Sequence, residues 1–180
     1  MDNINNKADA DKRMGDEHYR IIRNVYLGSW GNALPLFRRI LEIAGDTGLE
    51  KALGMLQRCV TEKRLAWMDD HMDCFEHSGD PLMDGLRMFY QDYLGLSIPQ
   101  DGEIVEHTEK RLVMRWWNRC PTLEACLALG LNTREVCRNV YQQPVEEMLK
   151  RIDPRLRFER NYDVLRPYSH YCEEMIILVE

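Results

Sequence analysis

The sequence predicts a single-domain α+β protein, with a helical first half packed against a small antiparallel sheet. Three observations carry this expectation. Apolar residues recur at helical spacing through residues 15–93. The period then falls to two across 104–119, the signature of a strand. The last segment, 171–179, is apolar on both parities toward its end, as in a strand covered on both faces.

In chain order, the polar residues 1–14 are expected as a flexible tail ahead of one domain over 15–180. That domain has a helical half (15–96, about four helices) and a sheet-containing half (103–180). Tyr19, Ile22, Val25 and Tyr26 mark a first helix, and Leu34, Phe37, Ile40 and Leu41 a second. Gly28, Gly31 and Pro35 separate the two. Thr47 followed by Glu50 has the form of a capping box opening a long helix to about residue 77, with Leu49, Leu53, Leu56, Val60 and Trp67 on its apolar stripe. Asp80-Pro81 starts a further helix, with Asp as cap and Pro in the first turn; it ends at Gly95.

The second half reads as a β-α-α-β-β unit. A strand over 104–119 ends at Pro121, and a short helix over 122–129 stops at Gly130. Thr133 caps a longer helix to residue 152, kinked at Pro144. A strand near 156–165 and a turn at 166–169 lead to the last strand, which is expected to be central.

At 180 residues the chain is long enough for a substantial core, and 44% hydrophobic with 30% charged residues is ordinary for a globular protein. A net charge of −6 argues against a general attraction to nucleic acid. Arg outnumbers Lys 18 to 6, which suits internal ion pairs or a carboxylate-bearing ligand. The first 20 residues contain no apolar signal region, and no stretch could span a bilayer, so a cytoplasmic chain with no membrane partner is expected. In that compartment six cysteines read as thiols.

Topology draws four of those thiols together. A helix over 122–129, about 12 Å long, is too short to cross back over a strand, whereas one over 133–152, about 30 Å long, is able to. Cys120, Cys126, Cys137 and Cys172 then share one end of the sheet, with Arg119, Arg138, Arg166, His170 and Glu173 around them. The residues leave three roles open: small buried side chains, ligands to a metal such as zinc, or a reactive thiol. Cys137, near a helix start and beside Arg138, has the best setting for a lowered pKa.

A second polar cluster, Asp70, His71, Cys74 and His77, continues the stripe of the long helix; it reads as a pocket or metal site in the helical layer or, the favoured reading, as a solvated helix end. Trp30, Trp67, Trp116 and Trp117 read mainly as core. Of the adjacent pair, only one can face inward, leaving the other for a pocket or an interface.

The segments Arg119-Cys-Pro121, Cys126 before Gly130, Val136-Cys-Arg138, Ile152-Asp-Pro-Arg-Leu156 and Arg166-Pro-Tyr-Ser-His-Tyr-Cys-Glu173 carry a resemblance over about 75 residues. They resemble the L-2-amino-thiazoline-4-carboxylic acid hydrolase-like family, which is similar to the 4-vinyl reductase-type ligand-binding domains. The resemblance implies a small-molecule hydrolase acting on a cyclic or amide-like carboxylate. Cys137, Cys172 and Glu173 would be catalytic, and Arg119, Arg138, Arg166, Trp117 and His170 would bind substrate. Related domains hold zinc through cysteines at this end of the sheet, which would make Cys120, Cys126, Cys137 and Cys172 the metal ligands. The alternative is a non-enzymatic ligand-binding or sensor domain with structural zinc. A homodimer through an exposed strand edge is a further expected partner.

Overall fold

The computed structural model describes residues 2–29 and 31–180, and the side chains of residues 12–29 and 31–180. Trp30, expected in the core, lies outside the described residues. The chain is α+β, with helices first and a four-stranded antiparallel sheet formed in the second half.

Three helices build the first layer: α1 (Asp2–Leu27), α2 (Leu34–Thr47) and α3 (Leu49–His71). Residues 2–14, expected as a tail, continue α1. The stretch holds no Gly or Pro, and it contains Ala8 and Ala10, of the residue type with the strongest helix propensity. The expected Thr47 capping box does not form. Thr47 closes α2, its hydroxyl donating to the Ile43 carbonyl at 3.0 Å, and Gly48 makes the reversal at φ 86°. That φ suits Gly alone, so the two helices meet with no intervening cap. Helix α3 stops at His71, six residues short of expectation, and a 3₁₀ turn follows over Met72–Cys74.

Helix α4 (Pro81–Gly85) begins as expected: Asp80 accepts from the Leu82 and Met83 backbone N–H groups. It continues as a π-helical segment, Leu86–Tyr93. Helix α5 (Pro121–Leu129) is capped by the Cys120 sulfur, which accepts from Leu123 N–H at 3.4 Å. Helices α6 (Thr133–Val136) and α7 (Gln142–Ile152) are joined by a π turn, Cys137–Tyr141. Asn132, not Thr133, caps α6, accepting from Arg134 and Glu135. The irregularity lies just before Pro144, at the turn containing Val140. A proline cannot donate to the carbonyl four residues back, and its ring crowds that carbonyl.

The strand expected over 104–119 is a hairpin, β1 (Gly102–His107) and β2 (Arg111–Trp116). Thr108 makes the turn: its backbone N–H donates to the Arg111 carbonyl, and its hydroxyl accepts from Arg111 N–H at 3.0 Å. Strands β3 (Leu156–Asn161) and β4 (Cys172–Leu178) complete the order β1-β2-β4-β3. The last strand is therefore central, as expected. It is covered on one face only: Glu174 and Ile176 are buried, while Glu173, Met175 and Ile177 are half-buried. No helix of the described residues is long and apolar enough to cross a membrane.

Two apolar cores result. The first joins α1, α2, α3, α5 and the α6–α7 turn around Phe37, Ile40, Leu53, Leu56 and Cys126. The second joins α4, its π segment and α7 to the sheet around Leu86, Met114, Met148, Phe158 and Ile176.

Candidate functional site

Helix α3 belongs to both cores. Val60 packs in the first and Met68 in the second; midway, on the same face, sits Arg64, only 6% exposed. A cavity of about 410 Å³ opens at this seam, between the helices and the inner face of the sheet. That size and its mainly apolar wall match small-molecule sites. Both π segments border it, through Phe89 and Tyr90 on one side and Cys137 and Tyr141 on the other. Such distortions re-aim side chains and recur at functional sites.

Three of the four predicted thiols, Cys120, Cys137 and Cys172, line this cavity. Cys126 does not; it is fully buried in the first core, beside Thr133. Leu127, the next residue along the helix, is 60% exposed. Among the described residues no group of three or more His, Cys, Asp or Glu is arranged to hold a metal ion. Burial pushes the Cys137 thiol up to about 12, with the Arg160 guanidinium only partly offsetting it. That reverses the lowered value expected from a helix start: Cys137 lies in a π turn within the continuous α6–α7 rod. Burial raises Cys120 as well, and Cys126 to about 11. These thiols stay protonated at neutral pH and are poor nucleophiles.

Among the described residues the cavity wall carries one carboxylate, Glu174, and it is already satisfied. Its Oε1 accepts from Arg160 Nε at 2.7 Å, and its Oε2 from the Tyr90 hydroxyl at 2.7 Å. Burial disfavours the charge on Arg160, but Glu174 together with Cys137, Tyr162 and Tyr90 outweighs this and holds its pKa high. Arg64 has no such partner. Its Nε and Nη1 make no hydrogen bond, and no acidic side chain pairs with it among the described residues. Its guanidinium carbon instead lies 5.0 Å from the Phe89 ring centroid, 5.7 Å from Tyr93 and 5.8 Å from Tyr141. Trp116 Nε1 and Arg166 Nε, on the same wall, are also buried without partners.

Of the predicted substrate-binding residues, Arg119 and Arg166 border the cavity. Arg119 is bound to Glu124 on the surface, and Arg166 donates to the Asn118 carbonyl at 2.7 Å. Arg138 lies outside, over the Tyr162 ring. Trp117 is 41% exposed and donates to the Gln100 carbonyl, while its neighbour Trp116 is the inward one. His170 is exposed. Glu173 points to the opposite face of the sheet, paired with Arg115 and Asn161, because adjacent strand residues alternate. Asp70, His71, Cys74 and His77 are exposed and do not reach the cavity.

Sequence reasoning passed over Arg64, Tyr90, Tyr141 and Glu174. For Arg64 a signal existed: a charged residue occupies the i+4 position between Val60 and Met68 on an apolar stripe. For Glu174 the signal was parity with Ile176. Comparisons with protein-family models, with curated proteins and with solved structures found no match.

Proposed function

We propose that this protein binds a small organic molecule in the seam cavity. The observation that carries the reading is the cavity itself: about 410 Å³, between two separately packed cores, walled by Phe89, Tyr90, Trp116 and three thiols. One wall is held in place by hydrogen bonds that join Glu174 to Arg160 and Tyr90. The test uses the neutral fluorophore N-phenyl-1-naphthylamine. Saturable one-to-one binding to the wild type is expected, with loss in a folded Val145→Phe variant that fills the cavity. No saturable signal, or equal binding by Val145→Phe, would refute the reading.

A second reading is hydrolysis of a cyclic or amide-like carboxylate, supported by the family resemblance and by Cys120, Cys137 and Cys172 on one wall. A thiol nucleophile needs a thiolate, and burial opposes one at Cys120 and Cys137. Glu173 faces away and cannot serve as acid or base there. A zinc-based form would need the sulfurs to converge with a fourth ligand. Native labelling with iodoacetamide decides on the thiol. Binding alone predicts that exposed Cys74 reacts first; one cavity thiol outpacing it would favour the enzyme. Stoichiometric zinc in protein purified without chelator would favour the zinc form.

A further inference from the structure

We propose that Arg64 is the anion-recognising residue of this cavity, and that the ligand is an organic monoanion, a carboxylate or sulfonate on an apolar body. The proposal rests on the ligand-binding reading above and adds to it the ligand's charge and orientation. Arg64 is positioned for this role in three respects. It is more than nine-tenths buried, yet no hydrogen bond or ion pair from its guanidinium forms among the described residues. A buried charge normally has a partner. Two of the hydroxyls near it are committed elsewhere: that of Tyr141 pairs with Thr122 at 2.9 Å, and that of Tyr90 with Glu174. The aromatic faces around Arg64 hold the cation by its π surfaces and satisfy none of its N–H groups.

Its location sets the ligand's orientation. A smaller, more open cavity of about 150 Å³ adjoins the inner one, and the two share Gly31, Arg64, Leu94, Pro121, Thr122 and Tyr141. Arg64 therefore stands at the neck. Beyond it the inner wall is Trp116, Val145, Leu165 and Leu96, surfaces for an apolar body. A ligand with its charged head at the neck and its body inward satisfies both. Arg166, the other wall guanidinium without a carboxylate, is engaged with the Asn118 carbonyl and adds to the positive potential.

Isothermal titration with 2-naphthoate and its neutral analogue 2-naphthamide tests this. The wild type is expected to bind the acid about tenfold or more tightly than the amide, the worth of a charge-assisted pair. In Arg64→Met that preference is lost while amide affinity holds. Arg64→Lys, which keeps the charge without the planar fork, retains part of it. Should Arg64→Met fail to fold, the wild-type preference and its reduction in Arg64→Lys decide. Equal wild-type affinity for the two probes would overturn the Arg64 proposal and leave the cavity reading standing, as would an acid preference that survives Arg64→Met or depends on Arg166 instead. Binding of neither probe would overturn both.

Discussion

Cysteine meets different fates in the first core and at the seam. Cys126 sits at zero exposure in the first core among aliphatic neighbours, while Cys120, Cys137 and Cys172 line the cavity at the seam. Cys126 packs in that core, as free cysteines most often do, with the Thr133 side chain in hydrogen-bond reach. The seam differs because two cores meet there without merging. Arg64, Arg160, Glu174 and Trp116 occupy positions that apolar side chains fill elsewhere. Position relative to the two cores, more than residue type, separates the structural thiols from those at the site.

Perturbations should follow that division. Phe37→Ala removes a fully buried ring from the first core and is expected to cost about 3–5 kcal/mol in urea unfolding. A cost below about 1 kcal/mol would mean that this core is not tightly packed. Glu174→Gln leaves Arg160 buried without its carboxylate and is expected to cost about 3 kcal/mol, since both side chains are under a tenth exposed. Cys126→Ser places a hydroxyl in the dry core at about 1–3 kcal/mol, whereas Cys172→Ser at the cavity should cost less than about 0.5 kcal/mol. Similar losses for these two serines would erase the distinction drawn between the regions.

The smallest effect at neutral pH comes from titration. A thiol whose folded pKa is raised stabilises the fold fully below its unfolded value of 9.0, and this is lost as pH rises through the folded value. With Cys137 at about 12 and Cys126 at about 11, stability should fall between pH 9 and 12. The slope should shrink in Cys137→Ala. An unchanged slope in that variant would show that Cys137 is not the group being titrated.

Much of the fold was legible because periodicity reports burial. The stripe of α3, the Asp80 cap and the central last strand all followed from patterns that one helix or strand must satisfy alone. The β1–β2 hairpin was not legible, since Thr108-Glu109-Lys110 holds no Gly or Pro and the alternation continues through it. The site was half legible. Chain topology brought Cys120, Cys137 and Cys172 to one place, but Cys126 lies one helix face away, in the first core. Glu173 and Glu174, or Trp116 and Trp117, cannot be told apart until register assigns each to a face. Arg64 showed only as a charge on the α3 stripe; the rings that surround it, Phe89, Tyr93 and Tyr141, belong to distant segments of the chain.

The central claim is that the seam holds a buried charge the fold itself does not need. The most direct measurement is the unfolding free energy of Arg64→Met without any ligand. Removing an unpaired buried cation while keeping an apolar stem of similar reach should raise stability, by about 1 kcal/mol or more. A loss of similar size would show that Arg64 holds the two cores together, and would contradict the account.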